Sequence, residues 1–420
     1  MARNKGKSRA SQRQGNSRSK TSTNPFTPSE PAESLSDLLA TATTLIRTHC
    51  TPAPALTVVT RALALAPTSL PALELAGEIH LELGDIPTAR SYFLQAATLD
   101  PDGLHEDAGG SGPEKFLWLA QLSEEGGREA VGWFERGANV LRKWLEGIES
   151  GGGSGSGSKE RMEMMEERDL RGKLCSALCG MAELYMTDLC MEPNAESSCE
   201  AFVTEALLLS PDNSEALQTL ASIRISQLRI EDAKSALERS VQLWLHLEPG
   251  SQTIPPYATR IAVARLLMET GLFNLALEVL DGLREEDDQV VDMWYLGGWG
   301  LYCKGDKVRE EEEKTKGKGI ALKTQSEDED VREEEENWQS LWAESRQWLN
   351  VCAKLCQALE WEDEGLIEHT IELLGKINEV LGEEMGDGED DDVEEEEGGE
   401  GEGGEWEDAD SDGDEEMTDS

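Results

Sequence analysis

Two cysteine pairs are the first candidates for chemistry. Cys175/Cys179 and Cys352/Cys356 each stand four residues apart, a spacing that puts both thiols on one face of a helix. Such a pair could supply half of a tetrahedral zinc site, which needs two further ligands. The five histidines are His49, His80, His105, His246 and His369. None falls near a cysteine or an acid pair in a ligand pattern. The thiols are therefore expected to be small buried core side chains. No phosphate-binding loop, nucleophile elbow or dinucleotide fingerprint occurs, and no nucleophile–base pair has a recognisable context. No enzymatic activity, metal or cofactor is expected.

Carboxylates offer a different chemistry. Glu74, Glu78 and Glu82 recur at i,i+4 and so stack along one helix face. A row of carboxylates can pair with ammonium and guanidinium groups. The competing reading is an ordinary solvated helix face. The whole chain leans toward acid: 420 residues carry 86 Asp+Glu against 38 Lys+Arg, a formal charge of −48. That charge is unevenly spread. Residues 1–20 hold Arg3, Lys5, Lys7, Arg9, Arg13, Arg18 and Lys20 with no acid, or +7. Residues 383–420 hold 22 acids and no base, which leaves −33 on residues 21–382. Nucleic acid and anionic membranes would be repelled, so a basic partner is favoured. Self-association is discouraged by the same charge, and a monomer is expected.

No run of about 18 apolar residues is present, as a membrane-spanning helix would need. The start, MARNKGKSRASQRQG, lacks the apolar stretch of a secretory signal. A cytoplasmic and nuclear location follows as the expectation, with the eight cysteines reduced.

Helices must carry these side chains. Apolar residues recur at helical spacing through most of the chain. The clearest stretch is LPALELAGEIHLELGDIPTARSYFLQAATLDPDG, residues 70–103. It reads as two helices joined at Gly84-Asp85 and stopped by Pro101. Small residues (Ala76, Gly77, Ala89, Ala96) allow close approach, and Phe93 fills the gap. GGGSGSGS at 151–158 reads as a flexible linker. Residues 304–336, low in complexity and highly charged, read as a loop insertion. Residues 1–30 and 383–420 read as disordered ends.

Residues 70–103 resemble the tetratricopeptide repeat, or TPR. With Leu70 as position 1, Gly77, Ala89, Phe93, Ala96 and Pro101 occupy that family's positions 8, 20, 24, 27 and 32. The frame extends over about seven units. Starts fall near Ser36, Leu70, Ser111 and Ser214; Gly180, Ala206 and Pro211 mark the fourth unit, Ala264, Gly271, Ala276 and Leu280 the sixth, and Trp294 and Gly298 take positions 4 and 8 of the seventh. The second helix of the seventh resumes at about Asn337, and Gly365–Leu381 caps the array. The fold class expected is all-α, a right-handed superhelical α-solenoid spanning 31–382.

The resemblance implies that positions 2, 5, 9, 12 and 13 of each first helix face a concave groove. This assigns Glu74, Glu78, Glu82, Asp37, Tyr185, Glu215, Glu269, Asp292, Tyr295, Trp299 and Tyr302 to the groove. They would form an acidic wall with an aromatic floor near the C-terminal end. Trp294 is expected in the core. TPR cochaperones of the heat-shock machinery need Lys, Asn and Arg at such positions. Here Glu74, Glu78 and Ala258 stand there, with only Arg265 and Lys115 basic, which argues against that function.

A narrower resemblance covers most of 30–385. The basic start, the repeat LELAGEIHLELGDIPTARSYFLQAATLDP, the phrase GPEKFLWLAQLSEEGG (112–127) and the acidic tail after a last helix are together similar to a small fungal family. These are the dedicated assembly chaperones of large-subunit ribosomal protein four. The resemblance implies a chaperone that binds a basic internal extension of its newly made client in the superhelix. It would keep the client soluble and deliver it to nuclear pre-ribosomes, with no ATP site. An import receptor is a further expected partner if residues 1–20 are an import signal; they serve equally as a solubilising arm. The alternatives are a generic TPR scaffold and an acidic histone-type chaperone.

Overall fold

The computed structural model describes residues 34–103, 112–124, 126–150, 157–251, 253–317 and 337–382. Most of the predicted linker, the later part of the 304–336 insertion, the basic start and the acidic tail lie outside the described residues. Among the described residues there are fifteen helices and no strand. The chain divides into two units, Met1–Asp288 and Gln289–Ser420.

The first unit holds six helix pairs. They are α1 (Leu35–Arg47) with α2 (Pro52–Leu65), α3 (Leu70–Glu82) with α4 (Ile86–Leu99), and α5 (Glu114–Gln121) with α6 (Gly127–Ser150). Then follow α7 (Gly157–Met186) with α8 (Ala195–Leu209), α9 (Ser214–Ser226) with α10 (Ile230–Gln242), and α11 (Tyr257–Glu269) with α12 (Phe273–Glu286). The second unit holds the seventh pair, α13 (Val291–Gly317) and α14 (Trp338–Ala358), and the closing helix α15 (Glu364–Leu381). The fold is the TPR type of helical solenoid that the repeat pattern predicts.

Local chemistry sets these boundaries. Ser34 and Asp37 form a reciprocal capping box at the start of α1, satisfying backbone N–H groups that the first turn leaves unpaired. Asp37 is thereby a cap, and not the groove residue its position implied. Proline occupies the first turn of α2, α3 and α4, where its missing N–H costs nothing. Within the pairs, close approach depends on missing side-chain atoms. A Cβ at Gly77 would meet the Phe93 ring at 2.6 Å, and one at Gly298 would meet Leu349 at 2.6 Å.

The charged insertion departs from expectation. Residues 304–317 continue α13 as helix, and Gly157 and Ser158 of the predicted linker already belong to α7. Glu, Lys and Arg are good helix formers, and here they pair along the helix surface. Arg309 lies 3.3 Å from Glu313, and Lys314 lies 2.9 Å from Glu310, the i,i+4 spacing that supports an exposed helix. Low complexity concealed this periodicity. The next helix begins where predicted, with the Asn337 side chain accepting from the Gln339 N–H at 3.0 Å.

Candidate functional site

The row Glu74/Glu78/Glu82 does not act as one surface. Glu74 is buried, and its Oε1 lies 3.6 Å from Lys115 Nζ. Lys115 is completely buried; it also donates to Asp100 Oδ2 at 2.8 Å and to the Gly112 carbonyl at 3.0 Å. Glu74 and Lys115 occupy equivalent positions in adjacent repeats, so one fills the other's electrostatic need. Neither faces a ligand. Glu78 is half-buried and pairs with Arg47 at 3.3 Å, while Glu82 is exposed. Position within the repeat was read correctly, but the neighbour's lysine decided which carboxylate went inside.

The aromatic floor is also a correction. In the second unit, Tyr295 and His369 share a hydrogen bond of 2.7 Å between Oη and Nδ1. Trp299 stands edge-on to His369 at 5.6 Å. Tyr302 stacks on Trp342 at 4.9 Å, and the Trp342 indole donates to the Tyr302 carbonyl at 3.1 Å. These rings close the seam between α13, α14 and α15, because a terminal unit must cover its own apolar faces. Trp294 packs on Trp348 at 4.9 Å, as a core residue should. Asp292 is half-buried at the start of α13. In the first unit, Tyr185 packs against Phe202 at 6.0 Å and belongs to the core. Glu269 is exposed at the end of α11.

Glu215 is the residue that the structure places in a cleft. Helices α7, α9 and α11, the first helices of three consecutive repeats, bound a hollow of about 690 Å³. Glu183, Glu215, Gln218 and Ser222 line it, opposite Ala262 and Leu266. The Ser176 hydroxyl donates to Glu215 Oε2 at 2.6 Å and fixes that carboxylate. Glu183 keeps contact with solvent. Even so, desolvation in the cleft, and secondarily the Glu215 charge, push its carboxyl above the usual range. The Gln218 amide nitrogen is buried with no hydrogen-bond partner. Two carboxylates and an unmet donor therefore converge on one hollow. That combination suits a cationic side chain on a peptide whose backbone carbonyl can accept from Gln218.

Gln218 and Ser222 sit at positions 5 and 9 of the fifth repeat, so the groove rule already pointed to them. Neither carries a charge, so the acidic pattern alone does not mark them. Glu183, three residues past Gly180, falls at position 11, which the groove rule does not include.

The thiol pairs lie in the core. Cys175 and Cys179 are fully buried, and Cys175 Sγ contacts the Ala206 carbonyl at 3.4 Å. Burial pushes the Cys175 thiol up to about 11 and the Cys352 thiol up to about 12. Among the described residues, no group of three or more His, Cys, Asp or Glu is arranged to hold a metal. No helix among them is long and apolar enough to cross a membrane.

No family model matches the chain. Curated relatives do. A protein of Emericella nidulans named "Probable assembly chaperone of rpl4" is 41% identical over 357 residues, covering 83% of this chain and 83% of the relative. A Schizosaccharomyces pombe protein of the same name is 35% identical over 308 residues, covering 73% of this chain and 80% of its own. The solved structure of "Assembly Chaperone of RpL4 (Acl4) (Residues 1-338)" superposes with a TM-score of 0.63 at 42% identity, over 67% of this chain and 100% of that one. On this identity and coverage, the chain belongs to the family of fungal assembly chaperones of rpl4.

Proposed function

We propose that this chain is a dedicated chaperone of newly made ribosomal protein four of the large subunit. It holds a basic extended segment of the client in the α7/α9/α11 cleft and keeps it soluble. It travels between cytoplasm and nucleus and yields the client to the pre-ribosome. The observation that carries the reading is the convergence of Glu183 and Glu215 with the unpartnered Gln218 amide in one hollow. Carboxylates that crowd each other in the free protein gain most from a cation placed between them. A client extension built to bind RNA would otherwise pair with stray polyanions. Handover needs no chemical step, because the denser phosphates of ribosomal RNA compete for the same cations. No catalytic role, direct nucleic-acid contact or membrane contact enters this scheme. One chain serves one client as a monomer, with an import receptor as the added partner for passage to the nucleus.

The test is co-purification with rpl4 from host lysate, using full-length protein, residues 30–382, and full-length E183K/E215K. Capture of rpl4 by the first two and loss with the third is the expected result. Histones bound only by forms that keep residues 383–420 would instead support an acidic histone-type chaperone. Unaltered rpl4 capture by E183K/E215K would overturn the cleft assignment.

A further inference from the structure

Residues Ile254, Pro255 and Pro256 line the acidic cleft and also a second hollow of about 770 Å³. They are the shared wall of the two. To that wall and to Tyr257 and Arg260 of α11, the second hollow adds the turn after α10 and the face of α12 that carries Val279, Gly282, Glu285 and Glu286. Its floor is apolar, with Trp244, Leu245 and Val279. Its rim carries Glu285 and Glu286.

Trp244 sets this hollow apart from an ordinary surface dimple. The residue is 3% exposed, and its indole N–H meets no acceptor. Buried indole N–H groups ordinarily find a partner, and an unmet buried donor carries its full desolvation cost. Gly282 adds a second feature. A Cβ at this position would meet nothing within 4 Å, so the helix face there opens onto empty space. Arg260 does not fill that space. Its guanidinium is held by the Pro255 carbonyl at 3.0 Å and by Glu286 at 2.6 Å.

We propose that the client segment continues beyond the acidic cleft, crosses the Ile254–Pro256 wall and occupies this second hollow. There it places an apolar side chain on the Trp244 floor. A backbone carbonyl accepts from the Trp244 Nε1–H, and a neighbouring Lys or Arg pairs with Glu285. The occupant is thus an extended stretch in which an apolar residue adjoins a basic one. The acidic rim complements a basic client, and the shared Ile254–Pro256 wall sets the two hollows side by side. Two linked contacts on one polypeptide reinforce each other, because the second binds at the high local concentration that the first creates. This assignment rests on the chaperone reading above.

The experiment measures the affinity of purified rpl4 for the full-length chain and for variants of the second hollow. Gly282→Trp plugs the hollow from an open helix face and should weaken binding about tenfold or more, through loss of one buried apolar side chain. Gly282→Ala, which leaves the hollow open, should bind as the unaltered chain does. Trp244→Phe keeps an aromatic ring, though a smaller one, and removes the donor, for a loss of about threefold to tenfold. Glu285→Lys reverses a rim charge and should cost about twofold to fivefold. An indole N–H resonance absent from Trp244→Phe should shift when rpl4 is added to the ¹⁵N-labelled chain. Full affinity in both Gly282→Trp and Glu285→Lys, with binding still lost in E183K/E215K, would overturn the second hollow and leave the chaperone reading intact. If the unaltered chain does not bind rpl4, both fall together.

Discussion

Lys115 Nζ lies 2.8 Å from Asp100 Oδ2, with both side chains sealed from solvent. Glu74 completes the group at 3.6 Å. Two carboxylates thus share one lysine inside the contact between the second and third repeats. Removing one partner of a buried ion pair typically costs about 3–5 kcal/mol, because the remaining charges lose their compensation. Lys115→Met should therefore destabilise the first unit by about that amount. Adding Glu74→Gln and Asp100→Asn removes the stranded charge and should restore most of the loss. Urea denaturation of the single and triple variants decides this. Equal stability of Lys115→Met and the unaltered chain would show that the group is not coupled.

The same group shows where the sequence stopped being legible. Repeat positions were readable because they reflect steric rules: Gly77 is small where the Phe93 ring must sit, and that pattern recurs at fixed spacing. Burial of Glu74 was not readable, since it depends on a lysine 41 positions later that the repeat consensus does not include. Aromatic residues Tyr295, Trp299 and Tyr302 misled for a related reason. Their positions match a groove, but α14 covers Tyr302 through Trp342, and α15 covers Tyr295 and Trp299 through His369. Glu215, at position 2 of the fifth repeat, lines the α7/α9/α11 hollow, and its charge made it visible in the acidic pattern. Trp244 was invisible, as nothing in the repeat pattern marks an indole left without an acceptor.

Leu228 occupies a backbone conformation that belongs to glycine. The turns between first and second helices of the second, fifth and sixth repeats place Gly84 at φ 75, Leu228 at φ 61 and Gly271 at φ 80. A left-handed residue with a Cβ costs about 1–2 kcal/mol, and the Leu228 side chain is 85% exposed, so packing does not offset it. Leu228→Gly relieves that strain and loses about 0.5–1 kcal/mol through greater freedom of the unfolded chain. A net gain of about 0.5–1 kcal/mol is expected. The check is the denaturation midpoint, with circular dichroism confirming unchanged helix content. A lower midpoint would mean that the exposed leucine makes contacts that stabilise the turn.

Glu183 ties stability and binding to pH. Desolvation, then the charge of Glu215, raises its carboxyl above the ordinary glutamate range. The folded chain therefore holds this proton more tightly than the unfolded chain does. Its contribution to stability is present below about 4.5, the ordinary glutamate range, and is lost as pH rises through the higher folded value. Glu183→Gln removes the dependence, so its stability relative to the unaltered chain should grow as pH rises from about 4.5 toward neutrality. Client binding acts in the opposite sense. A cation between Glu183 and Glu215 favours the charged carboxylate and expels the proton. Titration calorimetry of rpl4 near pH 5.5, in two buffers of different ionisation enthalpy, should show net proton release by the unaltered chain and less by Glu183→Gln. The same heats in both buffers would mean that no titrating carboxylate meets the client's cation. The contact would then have to be sought away from the α7/α9/α11 cleft.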